Sequence, residues 1–243
     1  MVHIRKNDAA ADIQRKYYAA TAQEYDGLHV SEDHEHAFAL RILMASAGQF
    51  NLRSVLDVGS GTGRALLALK TELPNVVALG VEPSPEMRKV GHSKGLNETE
   101  LIDGDAMSLE FPDGSFDVVC EFGILHHVSN PARAISEMMR VSRKAIFISD
   151  SNNFGQGGQL ARFIKQTVHA CGLWHIADLV KTRGRGYCVS EGDGLTYSFS
   201  VFSHLKQISR QCESVHMLNT RGAGPNLYRS ATHVALLGIK RTE

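Results

Sequence analysis

The chain has 243 residues, 43% of them hydrophobic and 21% charged, with 26 basic and 26 acidic side chains and therefore no net charge. This composition is typical of a soluble globular protein with a sizeable core. The amino-terminal residues lack the apolar core of a signal peptide, and no apolar run approaches the ~18 residues of a transmembrane helix. We therefore predict a cytoplasmic protein without a membrane partner.

The cysteines bear on disulfides and zinc sites, and the distribution of charge bears on the kind of partner. The four cysteines are far apart and form no Cys-x-x-Cys pair, so we predict neither a disulfide framework nor a zinc site. Residues 1–150 carry 15 basic and 21 acidic side chains, a balance of −6, whereas residues 151–243 carry 11 and 5, a balance of +6. The basic second half indicates either an anionic partner or a solvated face with no partner.

The amino-terminal part of the chain has the composition of helices. An apolar run over residues 9–20 and another over residues 37–43 are separated by a break at residues 25–27. Because these runs precede the first predicted strand, we expect them to pack on the edge of the sheet or to cover its mouth.

A glycine-rich turn follows the first predicted strand. Residues 54–64 read Ser-Val-Leu-Asp-Val-Gly-Ser-Gly-Thr-Gly-Arg. The apolar run predicts a parallel strand that is buried on both faces, and helix-forming residues follow from residue 65 to residue 70. The glycines let the backbone take positive φ and let a ligand approach closely, while the first N–H groups of the helix face the same spot. We therefore predict a ligand site at the carboxyl end of this strand.

The spacing of the glycines indicates the ligand. A dinucleotide fingerprint that begins at Gly59 and Gly61 needs a third glycine at the position of Arg64, so a nicotinamide cofactor is disfavoured. The pattern Asp-x-Gly-x-Gly-x-Gly from Asp57 to Gly63 resembles motif I of the class I S-adenosyl-L-methionine (SAM)-dependent methyltransferases, in particular their small-molecule, type 11-like group.

This resemblance implies both a fold and a cofactor. The implied fold is α/β, with a Rossmann-like seven-stranded, mostly parallel sheet, helices on both faces and an antiparallel last strand, in a single domain over residues 1–243. The implied cofactor is SAM, whose methionine moiety and ribose the turn would wrap. The cofactor contacts implied within the turn are Asp57, Gly59, Ser60, Gly61 and Gly63.

The resemblance extends to the amino-terminal helices. The pattern Tyr-Tyr-x-x-x-Ala-x-x-Tyr-Asp over residues 17–26 is similar to the leading helix of many small-molecule methyltransferases, where it covers the cofactor. This similarity implies that residues 1–50 form a helical lid, that Tyr25 contacts the cofactor and that Tyr17 contacts the acceptor. The alternative is an amphipathic helix that buries its aromatic side chains.

An acid ends the second predicted strand. Residues 75–81 predict this buried strand, and Glu82 follows it, 23 residues after Gly59. One βαβ unit brings a carboxylate beside a ribose after about 20 residues. We therefore predict that Glu82, with Pro83 beside it, binds the ribose of SAM. The Ser-Pro pair that follows predicts the N-cap and first residue of the next helix.

A short third strand is predicted over residues 100–103, and Gly104, Asp105 and Ala106 follow it. This segment matches the Gly-Asp-Ala segment of the family. Gly104 allows a sharp turn, which leaves Asp105 to accept a hydrogen bond from the amino group of adenine. The alternative is that Asp105 closes an Asx-turn in a surface loop.

The fourth predicted strand covers residues 116–122, and in the family it lies beside the first strand. Backbone carbonyls near Glu121 and Phe122 would hold the methionine ammonium of SAM. His126 and His127 would border the exit of the methyl group, where a histidine with an ordinary pKa of about 6.5 can act as a general base. Packing histidines are the alternative.

The carboxyl-terminal part follows the usual ending of the family. Residues 130–141 predict a helix with a capping asparagine, and residues 144–150 predict the fifth strand. A helix over residues 201–211 and an antiparallel pair of strands over residues 214–219 and 232–240 complete the pattern.

An insertion of nearly fifty residues, 152–200, separates the fifth strand from the last helix. We predict a helix over residues 160–171 and a hairpin that turns at residues 191–194. The segment is too long for a bare connector, so we expect a cap over the acceptor pocket. Tyr187 and Tyr197, with the basic run beside Tyr187, are the candidate acceptor contacts.

Together these features imply methyl transfer from SAM to a small-molecule acceptor. The basic second half of the chain would suit an anionic acceptor. The methylated atom, whether oxygen, nitrogen or carbon, and the oligomeric state stay open. The sulfonium methyl is already activated, so no metal is required and none is predicted. One alternative is an RNA-modifying methyltransferase, which the absence of a dense basic run disfavours. Another is a domain that binds SAM without transferring methyl.

Overall fold

The computed structural model describes residues 6–29 and 35–241. Nine β-strands lie within these residues: β1 (Ser54–Val58), β2 (Val77–Val81), β3 (Leu101–Ile102), β4 (Phe116–Phe122), β5 (Ser142–Ser151), β6 (Cys188–Ser190), β7 (Gly194–Thr196), β8 (Cys212–Arg221) and β9 (His233–Lys240).

Seven of these strands form one sheet in the order β3-β2-β1-β4-β5-β9-β8. Strands β1 to β5 are parallel, whereas β9 is antiparallel to both of its neighbours, β5 and β8. The predicted Rossmann-like sheet with an antiparallel last strand is confirmed. Because the strand order reverses between β1 and β4, a crevice opens at their carboxyl ends, where ligands of such sheets bind.

The central strands form where the sequence has apolar runs. In β1 the side chains of Val55, Leu56 and Val58 are fully buried, as expected for a parallel strand that is covered on both faces. Strand β4 occupies the predicted residues 116–122. Strand β5 begins earlier than predicted, at Ser142.

Ten α-helices lie within the same described residues: α1 (Lys6–Thr21), α2 (Tyr25–His29), α3 (Glu35–Ser46), α4 (Arg64–Glu72), α5 (Pro85–Ser93), α6 (Pro131–Val141), α7 (Gln159–Ala170), α8 (Trp174–Lys181), α9 (Leu205–Ser209) and α10 (Leu227–Ser230). Short 3-10 helices occupy Ala47–Phe50, Asn153–Gly155 and Val201–Ser203.

Helices α5 and α6 begin at the caps that the sequence predicts. The Ser84 hydroxyl oxygen accepts a hydrogen bond from the Met87 N–H at 3.3 Å, and Pro85 is the first residue of α5. The Asn130 side-chain oxygen accepts from the Arg133 N–H at 3.1 Å. These bonds satisfy N–H groups that have no partner inside the helix.

The core has one layer on each face of the sheet. Helix α6 packs on one face through Ile135 and Met138, and helices α3 and α4 pack on the other through Leu43 and Leu66, all of them fully buried. Burial of a side chain of this size stabilises the fold by about 1.5–3 kcal/mol. The helices therefore hold the carboxyl edge of the sheet in place.

The two ends of the segment from residue 152 to residue 200 lie side by side. The Ser200 hydroxyl donates to the side-chain oxygen of Asn152 at 2.8 Å, and the Asn153 N–H donates to the Phe199 carbonyl at 3.0 Å. The segment carries α7, α8 and the two-stranded hairpin of β6 and β7. We call it the cap segment.

Two elements differ from the sequence prediction. Helix α8 follows α7 where the sequence predicted no helix. The helix predicted over residues 201–211 is divided at His204, whose φ of −109° separates a 3-10 turn from α9. Across the described residues, no helix combines the length and the apolar character that a membrane span requires.

Candidate active site

A cavity of about 260 Å³ lies at the carboxyl ends of β1 and β4. The predicted site residues that line it are Tyr25, Asp57, Gly59, Ser60, Gly61, Glu82, Phe122, His126 and His127. The predicted residues that the structure describes but that do not form its wall are Tyr17, Gly63, Pro83, Gly104, Asp105, Ala106, Glu121, Tyr187 and Tyr197. The structure therefore brings the glycine-rich turn, the predicted ribose acid and both histidines together.

The glycine-rich turn requires its glycines at two positions. Gly59 has a φ of 73°, and a Cβ atom there would lie 2.3 Å from a side-chain carbon of Ile124. Gly61 has a φ of 55°, and its N–H donates to Glu82 Oε2 at 3.0 Å. Residues with a side chain rarely adopt such positive φ values. The turn therefore packs directly against the loop after β4 and against the acid that ends β2.

Glu82 is a buried carboxylate, 5% exposed, in the cavity wall. Its Oε2 accepts from the Gly61 N–H, and its Oε1 accepts from the Ser84 N–H at 2.8 Å. Burial raises the pKa of this carboxyl to about 7, although the two N–H donors act in the opposite direction. Each carboxylate oxygen can accept a further hydrogen bond, so the group can bind a vicinal diol.

A second buried acid and a half-buried arginine lie at the floor of the cavity. Burial raises the pKa of Asp57 to about 6. Arg64 stands where a dinucleotide fingerprint would have glycine; burial lowers the pKa of its guanidinium, and the Asp57 carboxylate opposes that effect. The floor therefore offers one positive and one negative group in a region of low dielectric constant.

The amino-terminal helices complete one wall. Tyr18 and Tyr25 line the cavity with ring centroids 6.1 Å apart, and burial raises the pKa of both hydroxyls. The Thr62 hydroxyl donates to Asp26 Oδ1 at 2.6 Å, and Lys94 forms an ion pair with the same carboxylate. Helix α2 is therefore attached to the glycine-rich turn; its function as a lid stays a prediction.

His126 is held by a carboxylate at the end of β5. Its Nδ1 lies 2.6 Å from Asp150 Oδ1, and Asp150 Oδ2 accepts from the Leu125 N–H at 2.8 Å. Burial acts to lower the pKa of His126, but the carboxylates of Asp150 and Asp193 outweigh it and raise the pKa to about 10. An imidazole that is protonated at neutral pH cannot accept a proton, which counts against His126 as a general base.

His127 joins the cavity to the cap segment. Its Nδ1 donates to the Leu195 carbonyl at 2.7 Å, and its Nε2 lies 3.5 Å from Asp193 Oδ1. The Nε2 of His126 lies 3.6 Å from the other oxygen of Asp193. Sequence reasoning missed Asp193 because its Glu-Gly-Asp-Gly context indicates only a hairpin turn.

The opposite wall consists of residues from three separate elements. His36 Nδ1 lies 2.9 Å from the Ser149 hydroxyl oxygen. The buried carboxylate of Glu35 lies 3.3 Å from the Arg221 guanidinium and 3.2 Å from His233 Nε2. These residues carry no sequence motif, because only the packing of α3 against β8 and β9 brings them together.

Two predicted cofactor residues have other contacts. The buried carboxylate of Glu121 accepts from the Ile124 N–H at 2.9 Å and from the Ser149 N–H at 3.0 Å, so it orders the loop after β4. Asp105 is exposed, and its carboxylate accepts from the Met107 N–H at 2.8 Å, which is the Asx-turn alternative. The cofactor roles of both residues stay predictions.

Two of the predicted acceptor tyrosines lie in the cap segment, and the third contacts it. Tyr187 and Tyr197 pack edge to face with ring centroids 6.1 Å apart. Tyr17 lies against Gly194, where an added Cβ atom would come within 2.8 Å of its ring. Their roles in acceptor binding stay predictions.

The parallel sheet, the glycine-rich turn after β1 and the acid after β2 are typical of α/β domains that bind nucleotides at this edge of the sheet. Residues 56–147, which span β1 to β5, match the family model described as methyltransferase domain. Over residues 56–147 the chain therefore matches the methyltransferase domain family, and this match implies SAM as the cofactor.

Curated relatives include several methyltransferases. The demethylmenaquinone methyltransferase of Roseiflexus castenholzii is 37% identical over 89 residues, which are 36% of this chain and 37% of the relative. The demethylmenaquinone methyltransferase of Deinococcus radiodurans is 32% identical over 146 residues, 56% and 58% of the two chains. The ajmaline N-methyltransferase of Rauvolfia serpentina is 33% identical over 95 residues, 37% and 32% of the two chains. The chain thus matches less than two thirds of each relative.

Solved structures share the fold. A SAM-dependent methyltransferase of Thermotoga maritima superposes with a TM-score of 0.58 and 18% identity, covering 93% of this chain and 99% of the other. The YcgJ protein of Bacillus subtilis superposes with a TM-score of 0.53 and 20% identity, covering 86% and 100%.

Proposed function

We propose that this protein transfers a methyl group from SAM to a small-molecule acceptor. The observation that carries the proposal is the position of the cavity, which lies where β1 and β4 diverge, with the glycine-rich turn on one side and the buried Glu82 on the other. Ligands of doubly wound sheets bind at this point.

The cavity wall supplies the contacts that SAM needs. Glu82 accepts hydrogen bonds from the two ribose hydroxyls, and the glycine-rich turn lets the methionine moiety approach the backbone. The faces of Tyr18 and Tyr25 attract the positively charged sulfonium. Asp105 binds the amino group of adenine once the nucleoside extends along the carboxyl edge of β3.

Positioning supplies most of the catalysis. The methyl group on a sulfonium is already activated, so the protein holds the acceptor atom in line with the C–S bond, roughly 3 Å from the methyl carbon, and excludes water. The cavity is smaller than the ~300–1,000 Å³ of ordinary ligand pockets. We therefore expect the helices α1 and α2 or the cap segment to move outward when the cofactor and the acceptor enter.

The names of the relatives and the distribution of charge narrow the acceptor. Relatives are named for demethylmenaquinone, ajmaline and phosphatidylethanolamine, so quinols, amines and phospholipid headgroups are the first acceptors to test. The excess of basic over acidic side chains in residues 151–243 suits an acceptor with an anionic group. We also propose that the protein is located in the cytoplasm and that it does not act on nucleic acid.

Thermal unfolding and label transfer test the proposal. SAM and S-adenosylhomocysteine should each raise the melting temperature, because a ligand that binds only the folded state stabilises it. Incubation with methyl-labelled SAM and one acceptor of each class should then move the label to a member of one class. Stabilisation by NAD, with none by SAM or S-adenosylhomocysteine, would overturn the proposal.

A further inference from the structure

Three potential metal ligands meet at the mouth of the cavity. The imidazoles of His126 and His127 come from the loop after β4, and the carboxylate of Asp193 comes from the turn between β6 and β7. One ligand atom of each residue lies within 4.8 Å of the other two. The Nε2 atoms of His126 and His127 lie 3.6 and 3.5 Å from the two oxygens of Asp193.

These separations fit a metal ion better than hydrogen bonds. A nitrogen–oxygen hydrogen bond has a length of about 2.7–3.2 Å, and a contact at 3.6 Å is not one. Two ligand atoms that each lie about 2.1 Å from a tetrahedral ion are separated by about 3.4 Å. The two nitrogen–oxygen separations, one to each oxygen of Asp193, are therefore close to the spacing of two ligands on one ion, and the three residues keep their ligand atoms within 4.8 Å of one another.

The opposite nitrogen of each ring is held by a second partner. His126 Nδ1 is bound to the buried carboxylate of Asp150 at 2.6 Å, and His127 Nδ1 is bound to the Leu195 carbonyl at 2.7 Å. A carbonyl oxygen can only accept, so Nδ1 of His127 carries a hydrogen, and its Nε2 faces Asp193. Histidines that bind metals use this pattern, in which a carboxylate or a carbonyl orients the ring from behind.

We propose that His126, His127 and Asp193 bind a divalent first-row transition-metal ion of the zinc type. The ion displaces the ring proton of His126, because only a deprotonated imidazole nitrogen binds a metal. Two imidazole nitrogens and one carboxylate oxygen suit zinc, cobalt, nickel or iron, whereas magnesium and calcium prefer shells made of oxygen alone. Three protein ligands leave at least one coordination position open, as in catalytic zinc sites. All three side chains line the cavity, so that position is accessible from inside it.

The ion has two consequences for the molecule. It joins the hairpin of the cap segment to the loop after β4, so it fixes the cap over the cavity. The second consequence rests on the proposed function: an acceptor hydroxyl bound to the ion releases its proton to solvent more readily. Its oxygen then forms a bond to the methyl carbon, and the C–S bond breaks with its electron pair going to sulfur, which leaves neutral S-adenosylhomocysteine.

Metal titration of tag-free protein tests the site without SAM. After dialysis against a chelator, the full chain is titrated with Co²⁺ and followed by visible absorption, and Zn²⁺ uptake is measured by elemental analysis. We expect one ion per chain, with Zn²⁺ displacing Co²⁺. Asp193→Asn and His127→Gln should each weaken binding by at least ~100-fold, because loss of a residue that only orients a ligand already costs 10–100-fold.

Two matched variants are the controls. Glu191→Gln removes an exposed carboxylate from the same hairpin turn, and His175→Gln removes an exposed imidazole from α8; both should bind the ion like the wild type. Circular dichroism confirms that each variant is folded, and Asp193 suits this test because its side chain is 53% exposed.

The inference is overturned if wild-type protein takes up no stoichiometric ion, or if Asp193→Asn and His127→Gln bind it as tightly as the controls. The first result would leave the three residues as a cluster of ion pairs, and the second would place the ion elsewhere on the protein. SAM binding is measured separately on the chelated protein. Failure of the metal site therefore remains distinguishable from failure of the proposed function.

Discussion

Glu82 is a buried carboxylate, and its negative charge destabilises the protein with an empty cavity but would favour binding of the cofactor. Burial raises its pKa to about 7, so the charge is costly in the empty cavity. Backbone N–H groups of Gly61 and Ser84 hold both oxygens in place. A ribose that donates two hydroxyls to the carboxylate would offset the cost. We therefore expect this residue to control affinity for the cofactor.

Replacing Glu82 tests that expectation. Glu82→Ala should weaken SAM binding by about 1–3 kcal/mol, because it removes a charged acceptor from two hydroxyls. Isothermal titration calorimetry measures the change. Glu98→Ala removes an exposed glutamate after α5 and should leave the dissociation constant unchanged. Equal constants for both variants would contradict the ribose assignment.

The raised pKa of Glu82 also predicts how binding depends on pH. Protonation removes the negative charge and one acceptor, so SAM should bind more weakly as the pH falls through about 7. The dissociation constant should rise roughly tenfold between pH 8 and pH 6 if only the ionised carboxylate binds. Calorimetry at several pH values measures this slope, which should be smaller in Glu82→Ala. A wild-type constant that does not vary with pH would argue against the assignment.

His126 carries a second pKa prediction at this scale. Asp150→Asn removes the charge beside Nδ1, so the pKa of His126 should fall from about 10 toward the ordinary value of about 6.5. Nuclear magnetic resonance titration of the ring measures it. The exposed Asp113→Asn is the control and should cause no shift. If Asp150→Asn leaves the pKa of His126 as it is, the carboxylate does not hold the ring in its charged form.

At the scale of elements, helix α1 and the cap segment support each other. The side-chain oxygen of Gln14, which is 9% exposed, accepts from the Leu195 N–H at 2.6 Å. The Leu195 carbonyl in turn binds His127. One residue of β7 therefore connects the amino-terminal helix to a cavity histidine. This chain of contacts holds the hairpin of β6 and β7 beside the cavity that Asp193 lines.

Loss of the Gln14 side chain should loosen the hairpin. Gln14→Ala leaves the buried Leu195 N–H without its acceptor, which costs about 1–3 kcal/mol. Hydrogen exchange at the Leu195 amide should become faster, and the free energy of unfolding should fall. Gln23→Ala, at an exposed position just after α1, should change neither quantity. Unaltered exchange in Gln14→Ala would mean that α1 does not hold the hairpin.

The elements that the sequence predicts well are those with a local signal. Strand β4 follows a Pro-Asp-Gly turn and has an apolar centre over residues 118–120, and helices α5 and α6 have a capping side chain and a proline at their first turn. Helix α8 has no such signal, because Leu173 at its N-cap makes no side-chain hydrogen bond. The sequence predicted one helix over residues 201–211 because this stretch contains no glycine or proline. The interruption at His204 therefore has no local signal in the sequence.

At the scale of the whole molecule, some residues of the site could be predicted from their spacing in the sequence and others could not. The glycine-rich turn and Glu82 belong to one βαβ unit, so their spacing in the sequence predicts their meeting. Asp193 and Glu35 line the cavity from the cap segment and α3, and Asp150 in β5 contacts the cavity residue His126. No sequence interval relates these residues, because their proximity depends on the packing of the complete fold.

Calorimetric titration of the pure protein with SAM tests the central claim most directly, since every proposed contact depends on a nucleoside in this cavity. The account predicts saturable binding of one SAM per chain, with S-adenosylhomocysteine competing for the same site. Absence of saturable binding of either compound, in protein that is folded by circular dichroism, would contradict it.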